Sequence, residues 1–167
     1  QLSIKFLQKD EFAGFNFQAQ FLKPFELIMA RNDRVEVKEL VLKCVENMIL
    51  SKASNLQSGW QSILSVLSIG GADTSESVVS LSFSIVAPMM ERNMDMLEDC
   101  LTDVVNCLLS FAMNPNFEDQ SAQAIDILEK SLDDLLDAKR DPFSTSPQDV
   151  RRLWPVLIGL GAKYGYA

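Results

Sequence analysis

The residues able to do chemistry are few, and their spacing limits what they can do. The sequence holds no histidine, which removes the commonest general base at neutral pH and the commonest metal ligand. Its three cysteines, Cys44, Cys100 and Cys107, lack the Cys-x-x-Cys spacing of a structural zinc site. Cys100 and Cys107 lie about 10 Å apart along a helix, too far for a disulfide within it. All three are expected as reduced, buried thiols of a cytosolic protein. No glycine-rich run has the pattern that cradles phosphate. Asp133, Asp134 and Asp137 lack the calcium-loop pattern, and Asp133 and Asp137 share the solvent side of a helix, so they read as a solvated face. Met89, Met90, Met94 and Met96 suit either a pliable peptide groove or core filling at a helix end. No cofactor, metal or catalytic group is expected. Function therefore falls to binding and regulation.

The elements that must position any binding surface are helices, because the apolar period is 3.6 residues almost throughout and strand alternation is absent. Phe21, Leu22, Phe25, Ile28 and Met29 mark a short helix whose start or kink is set by Pro24. Val37, Leu40, Val41, Cys44, Val45, Met48 and Ile49 form the clearest stripe, opened by Asp33 as N-cap with Glu36 in the capping-box position. Ser58 caps a third helix carrying Trp60, Ile63, Leu64 and Leu67 and stopped by Gly70-Gly71. Thr74 opens a fourth with Val78, Val79, Ser82, Ile85, Val86, Met89 and Met90 inward. A fifth carries Leu97, Leu101, Val104, Leu108 and Phe111, and a sixth Ala124, Ile127, Leu128, Ser131, Leu132 and Leu135. Ser146-Pro147 leads a last helix with Val150, Leu153, Trp154 and Leu157.

That makes an all-α chain of about seven helices, in which a helical pair recurs roughly every 40 residues, as in HEAT or armadillo stacking. An irregular bundle is the competing architecture. Residues 1–167 are expected to form a single helical-repeat domain, a fragment of a larger protein. The longest apolar run, Leu153 to Ala162, is about half of what spans a bilayer. The net charge of −8 is uneven. Residues 1–70 carry 8 Lys+Arg against 7 Asp+Glu, and the remainder 7 against 16. Nucleic acid is thereby disfavoured as a partner, and any anionic membrane or acidic partner would meet the first half.

Two blocks go beyond generic helix. The run Phe17-Gln18-Ala19-Gln20-Phe21-Leu22-Lys23-Pro24-Phe25-Glu26-Leu27-Ile28-Met29 is one, and Ser51 to Leu67, containing Ser58-Gly59-Trp60, is the other. With the later Leu153-Trp154-Pro155-Val156-Leu157, they resemble the large Golgi Arf guanine-nucleotide exchange factors of the brefeldin-A-inhibited type. More narrowly, they are similar to the first homology region downstream of the Sec-seven domain. The resemblance implies a non-catalytic regulatory domain, cytoplasmic and peripheral to trans-Golgi network membranes. It also implies GTP-bound Arf, the anionic membrane surface and other domains of the parent chain as partners, and relief of autoinhibition in vesicle traffic as the task. A related Golgi scaffold lacking an exchange domain is the alternative. The residues carried over are Phe21, Lys23, Pro24, Phe25, Lys43, Lys52, Ser58, Gly59 and Trp60. Each also has a structural reading: the aromatic rings as core, Gly59 as a close approach and the lysines as solvated. Gln57 and Gln61 stand where the family often has basic residues beside the Gly-Trp.

Overall fold

The computed structural model describes residues 16–138. Six α-helices and three short 3-10 turns account for nearly all of them, with no strand among the described residues. The helices are α1 (Phe17–Arg31), α2 (Val35–Lys52), α3 (Gly59–Gly71), α4 (Glu76–Arg92), α5 (Leu101–Ala112) and α6 (Glu118–Ala138). The last predicted helix, around Val150–Leu157, lies outside the described residues, as do the side chains of Asp133, Asp134 and Asp137.

The helices α1, α3 and α5 begin at Phe17, Gly59 and Leu101, evenly spaced at 42 residues. They pack side by side as one layer, with α3 between α1 and α5, and α2 lies beside α4 in a second layer. This is the helical-repeat arrangement that the spacing predicts. The chain divides into two compact units, Gln1–Leu128 and Glu129–Ala167, and helices α1 to α5 all belong to the first.

The central helix α3 touches α1, α2, α4 and α5, so one apolar stripe is not enough for it. Trp60, Ile63, Leu64, Val66 and Leu67 are all buried and form a broad face of roughly 160°, which the buried Ser62 widens, while Gln61 is exposed. Gly70 and Gly71 end it for a packing reason. A Cβ on Gly71 would stand 2.8 Å from the Phe111 ring, and one on Gly70 would fall on the Ser82 hydroxyl. The Phe111 ring in turn meets Phe83 edge-on, with centroids 5.4 Å apart.

Several expectations need correction. Of the two roles expected for Pro24, start or kink, the start is ruled out, because Pro24 lies inside α1. A mid-helix proline costs about 3 kcal/mol, but Leu22 before it and Met29 after it are both buried. Each contributes about 1.5–3 kcal/mol, which offsets the break. The residue capping α2 is Arg34, not Asp33, and no side chain bonds into its first turn. Asn32 instead accepts the Arg34 N–H at 2.9 Å in the preceding loop.

Helix α4 is capped at Ser75, one residue beyond Thr74, because Asp73 Oδ1 accepts the Ser75 N–H at 2.9 Å and holds the turn extended there. Two 3-10 turns, Met94–Met96 and Glu98–Cys100, precede α5, so Leu97 is buried ahead of the regular helix. On α2 the buried stripe is rotated. Leu42 is fully buried and Leu40 is 63% exposed, because α2 must face α4 and the first layer together. Cys44 is consequently only half-buried, whereas Cys100 and Cys107 are core thiols. Burial pushes Cys107 up to about 12, which makes it unreactive. Ile28 is 37% exposed, while Met89 and Met90 fill the core.

Candidate functional site

The two blocks singled out in the sequence meet in space: the first turn of α1 lies against the loop that enters α3. Gln18 is the hinge of this contact. It sits on the same side of α1 as Leu22 and is fully buried. Its Nε2 donates to the Asn55 carbonyl at 2.9 Å. Its Oε1 accepts the backbone N–H groups of Gln57 at 2.9 Å and Gly59 at 3.3 Å. One side-chain amide thus satisfies three main-chain groups of a loop with no regular partner, as burial demands. The loop itself is a 3-10 turn, Ala53–Asn55, that leads to the buried Leu56.

Ser58 sits at the N-cap of α3, but its hydroxyl makes no capping bond there. It accepts the Ala19 N–H of α1 at 3.2 Å instead. Ala19 is the third residue of α1, whose N–H has no partner within the helix. Ser58 therefore caps the neighbouring helix, and Ser62 returns a bond from its hydroxyl to the Ala19 carbonyl at 3.3 Å. Gly59 is buried at the tightest point. A Cβ there would lie 3.0 Å from Leu56 Cδ2 and 3.1 Å from Gln18 Oε1. Trp60 follows with 1% of its surface exposed, and its indole N–H has no partner among the described residues.

Farther along the same seam, Lys23 donates to Glu26 at 2.8 Å, and Ser65 of α3 donates to the same carboxylate oxygen at 3.1 Å. Burial works to raise the Glu26 carboxyl, but these donors outweigh it and hold the group below the usual carboxylate range. Above the seam lies an open, polar groove bordered by Gln20, Lys23, Glu26, Gln61, Ser65 and Asp103. Burial raises the carboxyl of Asp103.

The carried-over residues divide accordingly. Ser58, Gly59 and Trp60 belong to the seam between α1 and α3. Phe21 and Phe25 are half-buried on α1, and Lys23 and Pro24 are exposed beside them. Lys43 is exposed on α2, and Lys52 is half-buried in its last turn. Nine residues separate these two lysines, about half a turn in angle, so they leave α2 on opposite sides. Three residues that sequence reasoning gave no role also matter to the geometry. Gln18 is one, and its signal was a polar amide on an apolar stripe. Asn114 is another: it is buried, and its Nδ2 donates to the carbonyls of Gly71 at 2.8 Å and Asp73 at 2.9 Å. Asp73 is the third, bonded to Lys38 of α2 at 2.5 Å.

No cluster of metal-ligating side chains occurs among the described residues, and no described helix is long and apolar enough to cross a membrane. The arrangement offers hydrogen-bonded helix seams and open grooves.

Comparison with known proteins follows the same blocks. Residues 5–88, half of the chain, match the family model described as Mon2/Sec7/BIG1-like, HDS. Human brefeldin A-inhibited guanine nucleotide-exchange protein 1 is 38% identical over 96% of the chain. Arabidopsis thaliana brefeldin A-inhibited guanine nucleotide-exchange protein 2 is 37% identical over 77% of it. The ADP-ribosylation factor guanine nucleotide-exchange factor sec72 of Schizosaccharomyces pombe is 34% identical over 88%. The chain spans only 9%, 7% and 8% of these three relatives respectively.

Proposed function

The chain belongs to the Mon2/Sec7/BIG1-like HDS family, and from that premise we propose that it is a non-catalytic regulatory region of a Golgi Arf guanine-nucleotide exchange factor. In this reading it couples contact with GTP-bound Arf and the anionic trans-Golgi surface to relief of autoinhibition during vesicle traffic. The observation that supports it is the alignment of nearly the whole chain with a named exchange factor at 38% identity. Exchange chemistry then belongs to the Sec-seven domain, and the helical layers supply surfaces.

Such a region acts only through differential binding: Arf-GTP and membrane must hold the active form more tightly than the closed one. The test is liposome flotation and nucleotide exchange by the full-length protein, with and without membrane-anchored Arf-GTP. Anchored Arf-GTP is expected to raise both recruitment and exchange in the intact protein and to lose that effect when residues 1–167 are removed. Unchanged recruitment and exchange after removal would sink the proposal.

A further inference from the structure

The two layers have a leading end, formed by α1 and α2, and its surface is apolar. On α1, the side across the helix from Ala19 and Glu26, which meet α3, carries Pro24, Leu27 and Ile28. Leu27 is 44% exposed and Ile28 37%, with Pro24 exposed beside them. On α2, which packs against α1, Leu40 is 63% exposed, and Cys44 one turn on is half-buried.

The repeat itself says what belongs on this face. First-layer helices begin 42 residues apart, so Pro24, Leu27 and Ile28 correspond to Val66, Ile69 and Gly70 of α3. One repeat further on, they correspond to Leu108, Phe111 and Ala112 of α5. In both later helices this side receives the helix before it. A Cβ on Gly70 would lie 3.5 Å from Met29 Cε of α1, and Ser62 and Ser65 on the same side bond to Ala19 and Glu26 of α1. Phe111 likewise rests on Gly71 of α3. Val66, Gly70, Leu108, Phe111 and Ala112 are accordingly buried. In the second layer the spacing runs from Val35 to Glu76, which matches Leu40, Cys44 and Asn47 with Leu81, Ile85 and Pro88 of α4. Ile85 and Pro88 share a groove with Ile49 and Leu50 of α2, the helix before theirs. The positions that later repeats cover with a preceding helix pair are thus the ones left bare on α1 and α2.

We infer that this end face is the seat of a further helical repeat of the same polypeptide, whose first-layer helix begins about 42 residues before Phe17, upstream of Gln1. Repeats that end a stack turn a polar face outward, and this one turns out leucines. The chain spans only 9% of the human relative that aligns with it, which leaves length for more repeats. A second copy could reproduce the α1–α3 register only by offering its own trailing end, a head-to-tail contact that does not close. The upstream seam differs from the one between α1 and α3. Lys23 and Ile28 stand where α3 has Ser65 and Gly70, so the upstream helix sits farther off and is held by apolar side chains. The inference does not depend on the Arf reading.

The test places a photo-cross-linking amino acid in the full-length protein at Leu27, at Leu40 or, as control, at Gln61, which is exposed on α3 in the middle of the stack. A mixture of ¹⁴N- and ¹⁵N-labelled protein separates links within one chain from links between copies by mass spectrometry. Leu27 and Leu40 are expected to link, within one chain, to one repeat N-terminal to α1, with Leu27 reaching residues upstream of Gln1 and Gln61 reaching none of them. In Leu27→Asp, the amides of that upstream segment are expected to exchange with solvent about tenfold faster, while α3 and α5 keep their protection. Links to a second copy, links elsewhere in the chain, or none from Leu27 overturn the inference, as does unchanged exchange in Leu27→Asp. Should Leu27→Asp loosen α3 as well, the cross-links alone decide, because they read the contact in the folded protein.

Discussion

The two seams of the first layer solve the same problem by different means. Between α1 and α3, the contact is made by reach: Gln18 extends a long amide to three main-chain groups, and Ser58 crosses to cap the other helix. Between α3 and α5, it is made by closeness: Gly71 lets the backbone of α3 rest on the Phe111 ring, and Asn114 ties off the end. A seam made by reach depends on hydrogen bonds and has some slack, whereas a seam made by closeness depends on the absence of atoms and has little.

The largest expected effect comes from testing that lack of slack. Gly71→Val places branched carbons where even a Cβ would lie 2.8 Å from Phe111 and 2.6 Å from Ser110 Oγ. Overpacking of this kind costs about 1–3 kcal/mol or more, and chemical denaturation should report the upper end. Gln18→Ala should come next, at about 2–3 kcal/mol, because it strands the buried Gly59 N–H together with the part-buried Gln57 N–H and Asn55 carbonyl. Gln18→Glu, which keeps the acceptor and loses the donor to Asn55, should recover only part of that loss. If Gln18→Ala were neutral, the seam made by reach would be a packing seam after all. Asn114→Ala should cost about 1–2 kcal/mol, since Gly71 and Asp73 lose a donor at a loop where water can partly replace it.

The smallest effect concerns the Lys38–Asp73 pair, which joins the second layer to the end of the α3–α5 seam. Burial tends to raise the Asp73 carboxyl, but Lys38 and the Ser75 N–H outweigh it and hold the group below its ordinary value. A carboxyl lowered in the folded state adds stability above its unfolded pKa of about 4, and that stability is lost as the pH falls through the lower folded value. After solvent screening the contribution is a few tenths of a kcal/mol to about 1. The acid limb of a stability–pH profile should therefore flatten slightly in Asp73→Asn. The native protein and the variant should converge once the pH has fallen below the lowered folded value of Asp73. Finally, Gln18→Ala and Asn114→Ala lie on different seams and share no partner, so their costs should add within about 0.5 kcal/mol. A larger coupling would mean that the seams yield together.

The local features of the fold were readable in the sequence. The buried set of α4, from Val78 to Met90, follows from its 3.6-residue period except for Phe83, and the repeat follows from even helix spacing. Periodicity assumes one buried face, so it misplaced Leu40 and Leu42 on a helix facing two neighbours, and it left Val66 out of the buried face of α3. The cap expected at Asp33 failed because a cap is decided by where the chain turns, which Asn32 controls from the loop. The seam residues were visible as a family signature, yet their roles were not. A Ser ahead of a helix reads as that helix's own cap, and nothing local reveals that Ser58 serves α1.

The stitches also set an order of assembly. Gln18 bonds residues 37 to 41 positions later in the chain, and Asn114 bonds residues 41 to 43 positions earlier. Each tie therefore spans about one repeat. As the chain leaves the ribosome, the Gln18 amide of α1 has no partner in the next repeat until Asn55 to Gly59 emerge. Helix α3 in turn waits for Asn114 to close its far end. Folding on this plan advances as a zipper, with each turn of synthesis securing the repeat before it, and the newest repeat is always the one a chaperone or protease can still engage.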